Sequence, residues 1–109
     1  MAVCAGDPLQ IVTTEWVLTE VADGMAGSKN RQDFIRFAEQ LPQAPNLQII
    51  AANPDTFARG IERYCQRPDK EWSLTDCISF VVMEDEEITE ALTGDHHFEQ
   101  AGFTILLKE

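Results

Sequence analysis

The stretch SLTDCISFVVME, residues 73–84, limits the possible folds more than any other part of the chain. Ser73 followed three residues later by Asp76 is typical of a helix start, with the serine as N-cap and the acid in the first turn. Apolar side chains then lie almost all around the helix (Leu74, Cys77, Ile78, Phe80, Val81 and Val82). Such a helix is buried, so we expect other elements to cover it on nearly every side.

The rest of the chain alternates between helical and strand-like patterns. Pro42 and Pro45 stop the second helix, and Asn53 with Pro54 marks the start of the third. We predict helices over 14–26, 31–41, 53–67, 73–84 and 95–101, and buried strands over 46–52, 87–93 and 103–107. Strands that alternate with helices indicate a three-layer α/β/α domain with a mainly parallel sheet.

Size and charge limit the class of protein. With 109 residues, 44% of them hydrophobic, the chain is expected to form one domain over 1–109. Nineteen acids against eight bases give a net charge of −11, which argues against spontaneous attraction to nucleic acid or an anionic membrane. Residues 29–70 differ, since their seven bases and five acids give this segment a net charge of 7 − 5 = +2. This asymmetry predicts either a basic face opposite an acidic site or merely uneven solvation.

The cysteines and the first residues indicate a cytoplasmic protein. Cys4, Cys65 and Cys77 are far apart and lack metal-ligand spacing, so they are interpreted as small apolar residues in a reducing compartment. No leader or membrane-spanning run is evident.

The predicted third helix has two distinct faces. Phe57, Ile61, Tyr64 and Cys65 form an apolar face, which we expect to be buried, while an arginine ridge (Arg59, Arg63 and Arg67) runs along the other. The ridge is interpreted as a solvated face or, alternatively, as a contact for phosphates.

Three acids have both a structural and a functional interpretation. Asp76 could serve only to cap its helix, Asp95 could cap the short helix that follows it, and Glu20 could be solvated beside an apolar stripe. Alternatively, Asp95 could have a functional role, because it follows a predicted parallel strand. Open α/β sheets place their ligand-binding sites at the carboxyl ends of such strands. Carboxylates brought together repel unless a cation neutralises them, and oxygen ligands without cysteine favour Mg²⁺ or Mn²⁺. Such a cluster would indicate a nuclease.

His96 and His97 are both adjacent to Asp95. Neighbouring residues project about 100° apart on a helix and to opposite faces of a strand, so they are poorly placed to hold one ion together. No HExxH or Cys/His spacing supports a zinc site. We therefore assign both histidines to surface or packing roles.

Two stretches, VTTEWVLTEVADGM and SLTDCISFVVMEDEEITEALTGDHHFEQAGF, resemble the PIN-domain ribonucleases, in particular the VapC-like toxins of toxin–antitoxin modules. The resemblance covers about the last hundred residues. It implies a metal-dependent endoribonuclease in which Glu20, Asp76 and Asp95 hold Mg²⁺ or Mn²⁺, Thr93 lies beside them, and Thr75 has a weaker claim. It also implies an RNA substrate and a cognate antitoxin.

The chain departs from the family at its beginning. Members open with a strand ending in an aspartate and a hydroxyl residue, followed by a helix. Asp7 lies too close to Thr14 for a helical crossover, and Pro8 replaces the hydroxyl residue. We therefore expect a PIN-like fold truncated at its N-terminus, with unpaired strand edges, reduced metal affinity and a tendency to form a homodimer.

Three hypotheses follow from these observations. The first is a PIN-type ribonuclease, and the second is a catalytically impaired remnant of that fold that acts by binding an antitoxin or its own copy. The third is an unrelated α/β binding domain with purely structural acids, which would place Glu20, Asp76 and Asp95 far apart.

Overall fold

A computed structural model of the protein describes residues 2–3 and 10–107. The helices are α1 (Glu15–Gly24), α2 (Ser28–Gln40), α3 (Pro54–Gln66), α4 (Leu74–Asp85) and α5 (His96–Gln100), with a 3-10 turn over Leu41–Gln43. The strands are β1 (Ala2–Val3), β2 (Ile11–Thr14), β3 (Leu47–Ile50), β4 (Glu90–Ala91) and β5 (Thr104–Ile105). The predicted three-layer α/β arrangement is confirmed.

The sheet has the strand order β3-β2-β1-β4-β5 and is mainly parallel. β2 pairs in parallel with β3, and β4 with β5, while β1 lies between these two pairs and is antiparallel to both of its neighbours. Ala2 pairs with Val12 and Ala91, and Val3 pairs with Ile11 and Glu90. We expected the missing N-terminal strand to leave unpaired strand edges. Between β2 and β4 that expectation is wrong at the paired positions, since Ala2 and Val3 pair with both strands. Asp7 and Pro8 lie outside the described residues.

Helix α4 forms the centre of the core, as its sequence predicts. Every residue from Cys77 to Met83 is buried, and Phe80 contacts three aromatic rings with centroids 4.9–5.7 Å away (Phe98, Trp72 and Phe103). Burial raises the pKa of the Cys77 thiol. Because Phe98 lies in α5, the aromatic cluster holds the short helix against the middle of α4.

Helix α3 packs most extensively on α4, but not through the predicted face. Thr56 and Gly60 are its buried residues, whereas Phe57, Ile61 and Tyr64 are 37–50% exposed. The prediction that this apolar face is buried is therefore wrong. Strand β3 is likewise only partly covered, with Ile49 38% exposed, because it lies at the edge of the sheet.

The arginine ridge is engaged with acids. Arg59 makes two hydrogen bonds to Asp85, Arg63 makes two to Glu84, and Arg67 pairs with Asp69. The Arg59 guanidinium lowers the pKa of the Asp85 carboxyl, and Arg67 lowers the pKa of Asp69 to about 2. Arg59 and Arg63 therefore join α3 to the end of α4, and the pairing of all three arginines leaves less positive charge for phosphates than the sequence suggested.

In the described part of the chain, no helix combines the length and apolarity needed to cross a membrane.

Candidate functional site

A cavity of about 200 Å³ lies where the end of β2, the start of α4 and the turn after β4 meet. The residues predicted from the sequence all line it (Glu20, Asp76, Thr93 and Asp95), as does Thr75. Successive acids are separated by 76 − 20 = 56 and 95 − 76 = 19 residues in sequence. The fold therefore brings the predicted acids to one place, contrary to the hypothesis that separates them.

Asp76 is held by the start of α4. Its backbone N–H donates to Ser73 Oγ over 2.9 Å, and its carboxylate oxygen Oδ2 accepts from the Ser73 N–H over 3.1 Å. This reciprocal pair satisfies two backbone donors that a helix start would otherwise leave unpaired. The Asp76 side chain is 14% exposed. Its structural role as a cap therefore also fixes a nearly buried carboxylate at the cavity.

Asp95 and Thr93 are set by the turn between β4 and α5. Asp95 Oδ1 accepts from the His97 N–H over 2.9 Å, so Asp95 is the N-cap of α5, while its own N–H donates to Thr93 Oγ1 over 3.1 Å. The Asp95 side chain is 40% exposed. Thr93 thus orients the turn that presents the second carboxylate.

Glu20 reaches the cavity from α1, and it is exposed. Thr14 caps this helix, because its Oγ1 accepts from the Val17 N–H over 3.1 Å. Because Glu20 is exposed, water can solvate its charge beside the apolar stripe of α1. Its position therefore needs no ligand to explain it. The three carboxylates therefore differ in environment, from the nearly buried Asp76 to the exposed Glu20.

The cavity wall also holds a polar atom that the sequence analysis missed. Thr13 is 2% exposed, and its Oγ1 has no hydrogen-bond partner among the described residues. A buried hydroxyl without a partner is costly, and water or an ion commonly satisfies such a group. Together with carboxylate oxygens, which are the preferred ligands of Mg²⁺ and Mn²⁺, this hydroxyl makes the lining suitable for a hydrated divalent cation.

His97 is the second residue that the sequence analysis missed. Its Nδ1 lies 3.2 Å from Asp76 Oδ2 and 3.4 Å from Asp95 Oδ1, and the side chain is 21% exposed. His96 is different, since its side chain is 69% exposed and its Nδ1 is 3.9 Å from Asp95 Oδ1. A surface role therefore suits His96, whereas His97 bridges two of the predicted site acids. The contact between His97 and Asp76 depends on the packing of α5 on α4, so the sequence alone could not indicate it.

Comparisons with known proteins bear on the fold. No protein-family model matches the sequence, and no curated protein matches it. The structure is similar to that of VapC20 from Mycobacterium tuberculosis, which is described as a toxin that cleaves the sarcin-ricin loop. The TM-score is 0.80 at 23% sequence identity, and the match covers 92% of this chain and 76% of that chain. The PIN-type fold that the sequence motifs indicate is thereby confirmed.

Proposed function

We propose that the protein is a metal-dependent endoribonuclease of the PIN type, in which Glu20, Asp76 and Asp95 hold Mg²⁺ or Mn²⁺. The observation that carries the proposal is the meeting of these carboxylates, with Thr93, at one cavity. The similarity in fold to a toxin that cleaves an RNA loop supports RNA as the substrate. A bound divalent cation supplies Lewis acidity, which activates water and offsets the charge of the scissile phosphodiester.

The protein's own residues would have three tasks. Asp76, nearly buried and held by its cap, provides a rigid anionic ligand, and Asp95 provides a second one that the Thr93 turn orients. The exposed Glu20 closes the site from α1. The hydroxyl of the half-buried Thr75 on the cavity wall is available to donate to a phosphate oxygen or to metal-bound water.

Charge makes a cation necessary for this activity. The chain carries a net charge of −11, and the arginines of the ridge are paired with acids. An RNA phosphate approaching the three carboxylates would be repelled. We therefore expect no cleavage after the divalent metal has been removed with a chelator.

Replacement of Asp76 by asparagine tests the proposal. Asparagine keeps the size and an acceptor oxygen for the Ser73 cap but removes the charge that holds the cation. Since changes to residues that merely support a metal ligand cost about 10–100-fold, we expect Mn²⁺-dependent cleavage of an RNA stem-loop to fall by about 100-fold or more. Gel analysis of end-labelled RNA measures this rate.

Asp69→Asn is the matched control, since Asp69 pairs with Arg67 in a loop and does not line the cavity. Cleavage by this variant should equal that of the wild type. Equal cleavage by Asp76→Asn and the wild type would refute the assignment of Asp76. If the wild-type chain neither cleaves RNA nor binds Mn²⁺ in calorimetry, the result favours the catalytically impaired remnant of the fold.

We also propose a cognate antitoxin and a second copy of the chain as partners. Large apolar side chains are exposed on α2, on α3 and after β5 (Ile35, Phe37, Phe57, Ile61, Tyr64, Leu106 and Leu107). Exposed apolar surface of this kind supports protein association.

A further inference from the structure

The position of His97 deepens the proposed function, on which this inference rests. The residue belongs to α5 but faces α4, because Phe98 packs on Phe80 and holds the short helix in place. Its Nδ1 therefore lies between carboxylate oxygens of two elements, Asp76 in α4 and Asp95 before α5. A residue with only a packing role would not need to bring a ring nitrogen between two site acids.

The distances are longer than those of strong hydrogen bonds. A charge-assisted N–H···O contact usually measures about 2.7–2.9 Å, whereas the two His97 contacts measure 3.2 and 3.4 Å. Two donor atoms bound to adjacent positions of one divalent ion, each about 2.1–2.2 Å from it, lie about 3.0 Å apart. The spacing of His97 Nδ1 from each carboxylate is thus close to that of neighbouring ligands.

Two further features support a ligand at this place. Donor atoms of Asp95, His96 and His97 all lie within 4.8 Å of one another, a set that the described part of the chain brings together at the rim of the site. The buried Thr13 Oγ1, without a partner among the described residues, is on the wall of the adjoining cavity. The His97 nitrogen thus lies beside two carboxylates, Asp76 and Asp95, that line the same cavity as the Thr13 hydroxyl.

We propose that His97 is a direct nitrogen ligand of the divalent metal, which it shares with Asp76 and Asp95. Imidazole is a ligand of transition metals, whereas Mg²⁺ favours oxygen donors. The site therefore prefers Mn²⁺ to Mg²⁺, and His97 is the source of that preference. This ligand also adds a donor to a site for which the sequence indicates only three acids.

Pulsed electron paramagnetic resonance of the full chain with Mn²⁺ alone tests the assignment. A nitrogen bound to Mn²⁺ produces a ¹⁴N modulation of the spin echo. We expect this modulation in the wild type and in His96→Ala, and its loss in His97→Ala and His97→Gln. Titration should show Mn²⁺ affinity lowered by about 10-fold or more in both His97 variants, with Mg²⁺ affinity changed by less than about 3-fold.

The outcomes separate this inference from the proposed function. Circular dichroism first establishes that each variant is folded, and His97→Gln serves if His97→Ala is not. No ¹⁴N modulation in the wild type, or modulation that disappears with His96→Ala and persists in the His97 variants, overturns the ligand assignment. If Asp76→Asn still abolishes Mn²⁺ binding in that case, the proposed carboxylate site stands without His97. If Asp76→Asn binds Mn²⁺ like the wild type, the carboxylate site itself is wrong.

Discussion

At the scale of single residues, the acids of the site have two roles at once. Asp76 completes the cap of α4 and Asp95 caps α5, so the bonds that start these helices also aim their carboxylates. Such caps act within two or three residues, which is why the sequence alone could place both acids at helix starts. The structural and functional interpretations of these acids are therefore compatible.

Two adjacent threonines of β2 provide a test at this scale. Thr13 Oγ1 is buried without a partner among the described residues, whereas Thr14 Oγ1 caps α1. Thr13→Val should raise the free energy of unfolding by about 1 kcal/mol, because it removes an unpaired buried hydroxyl. Thr14→Val should lower it by about 1 kcal/mol, because the cap is lost. Urea unfolding of the metal-free protein measures both changes.

The same substitution at neighbouring positions is thus expected to have opposite effects. Destabilisation of similar size by both variants would mean that the Thr13 hydroxyl has a partner in solution.

At the scale of elements, the contact between α3 and α4 explains the one helix whose orientation the sequence analysis assigned wrongly. Gly60 lies against Ile78 of α4, Thr56 is the other buried residue of α3, and Arg59 and Arg63 bond to acids at the end of α4. Apolar periodicity alone favoured the opposite face. Two contacts with α4 outweigh that preference. They are the close approach of the helices at Gly60 and the bonds of the arginines to the acids at the end of α4.

Gly60 is the residue that permits this approach. A Cβ at this position would overlap Ile78 Cγ1 and lie 3.3 Å from Ile78 Cα, which belongs to the backbone of the buried helix. We expect Gly60→Ala to lower the free energy of unfolding by about 1–2 kcal/mol, since overpacking outweighs the gain in helix propensity. Chemical denaturation measures the change.

Gly24→Ala is the matched control, because a Cβ there would meet nothing within 4 Å. That variant should be as stable as the wild type or more stable by up to about 1 kcal/mol. A stabilising Gly60→Ala would show that α3 and α4 can move apart at little cost.

At the scale of the whole molecule, charge and apolar surface act in opposite directions. A net charge of −11 keeps copies apart, while the exposed apolar side chains of α2 and α3 favour their association. Screening by salt weakens the first effect and leaves the second.

We therefore predict a homodimer whose dissociation constant falls as ionic strength rises. Light scattering behind size exclusion should give the mass of two chains at high protein concentration, with dimerisation shifted to lower concentrations by added salt. The mass of one chain under all of these conditions would contradict the prediction. Dissociation on adding salt would instead indicate an interface made of ion pairs.

The sequence by itself determined the five helices and the strands β3, β4 and β5, whereas β1 and β2 were not predicted from it. Asn53 and Ser73 cap α3 and α4 as predicted, and the apolar circumference of residues 73–84 correctly identified the helix at the centre of the core. The sequence also identified the candidate site residues, because helix caps, strand ends and the family resemblance are each recognised within a short stretch of chain. These residues are Glu20, Asp76, Thr93 and Asp95. Their metal-binding role stays a prediction.

Only the tertiary structure decided what depends on contacts between distant residues. The buried face of α3 follows from the small residues and acids that meet at α4, and the pairing of Ala2–Val3 with β2 and β4 follows from a gap in the sheet. His97 meets Asp76 across 21 residues because Phe98 packs on Phe80. Local patterns report the preferences of one segment, whereas these contacts depend on the shape and charge of its partner.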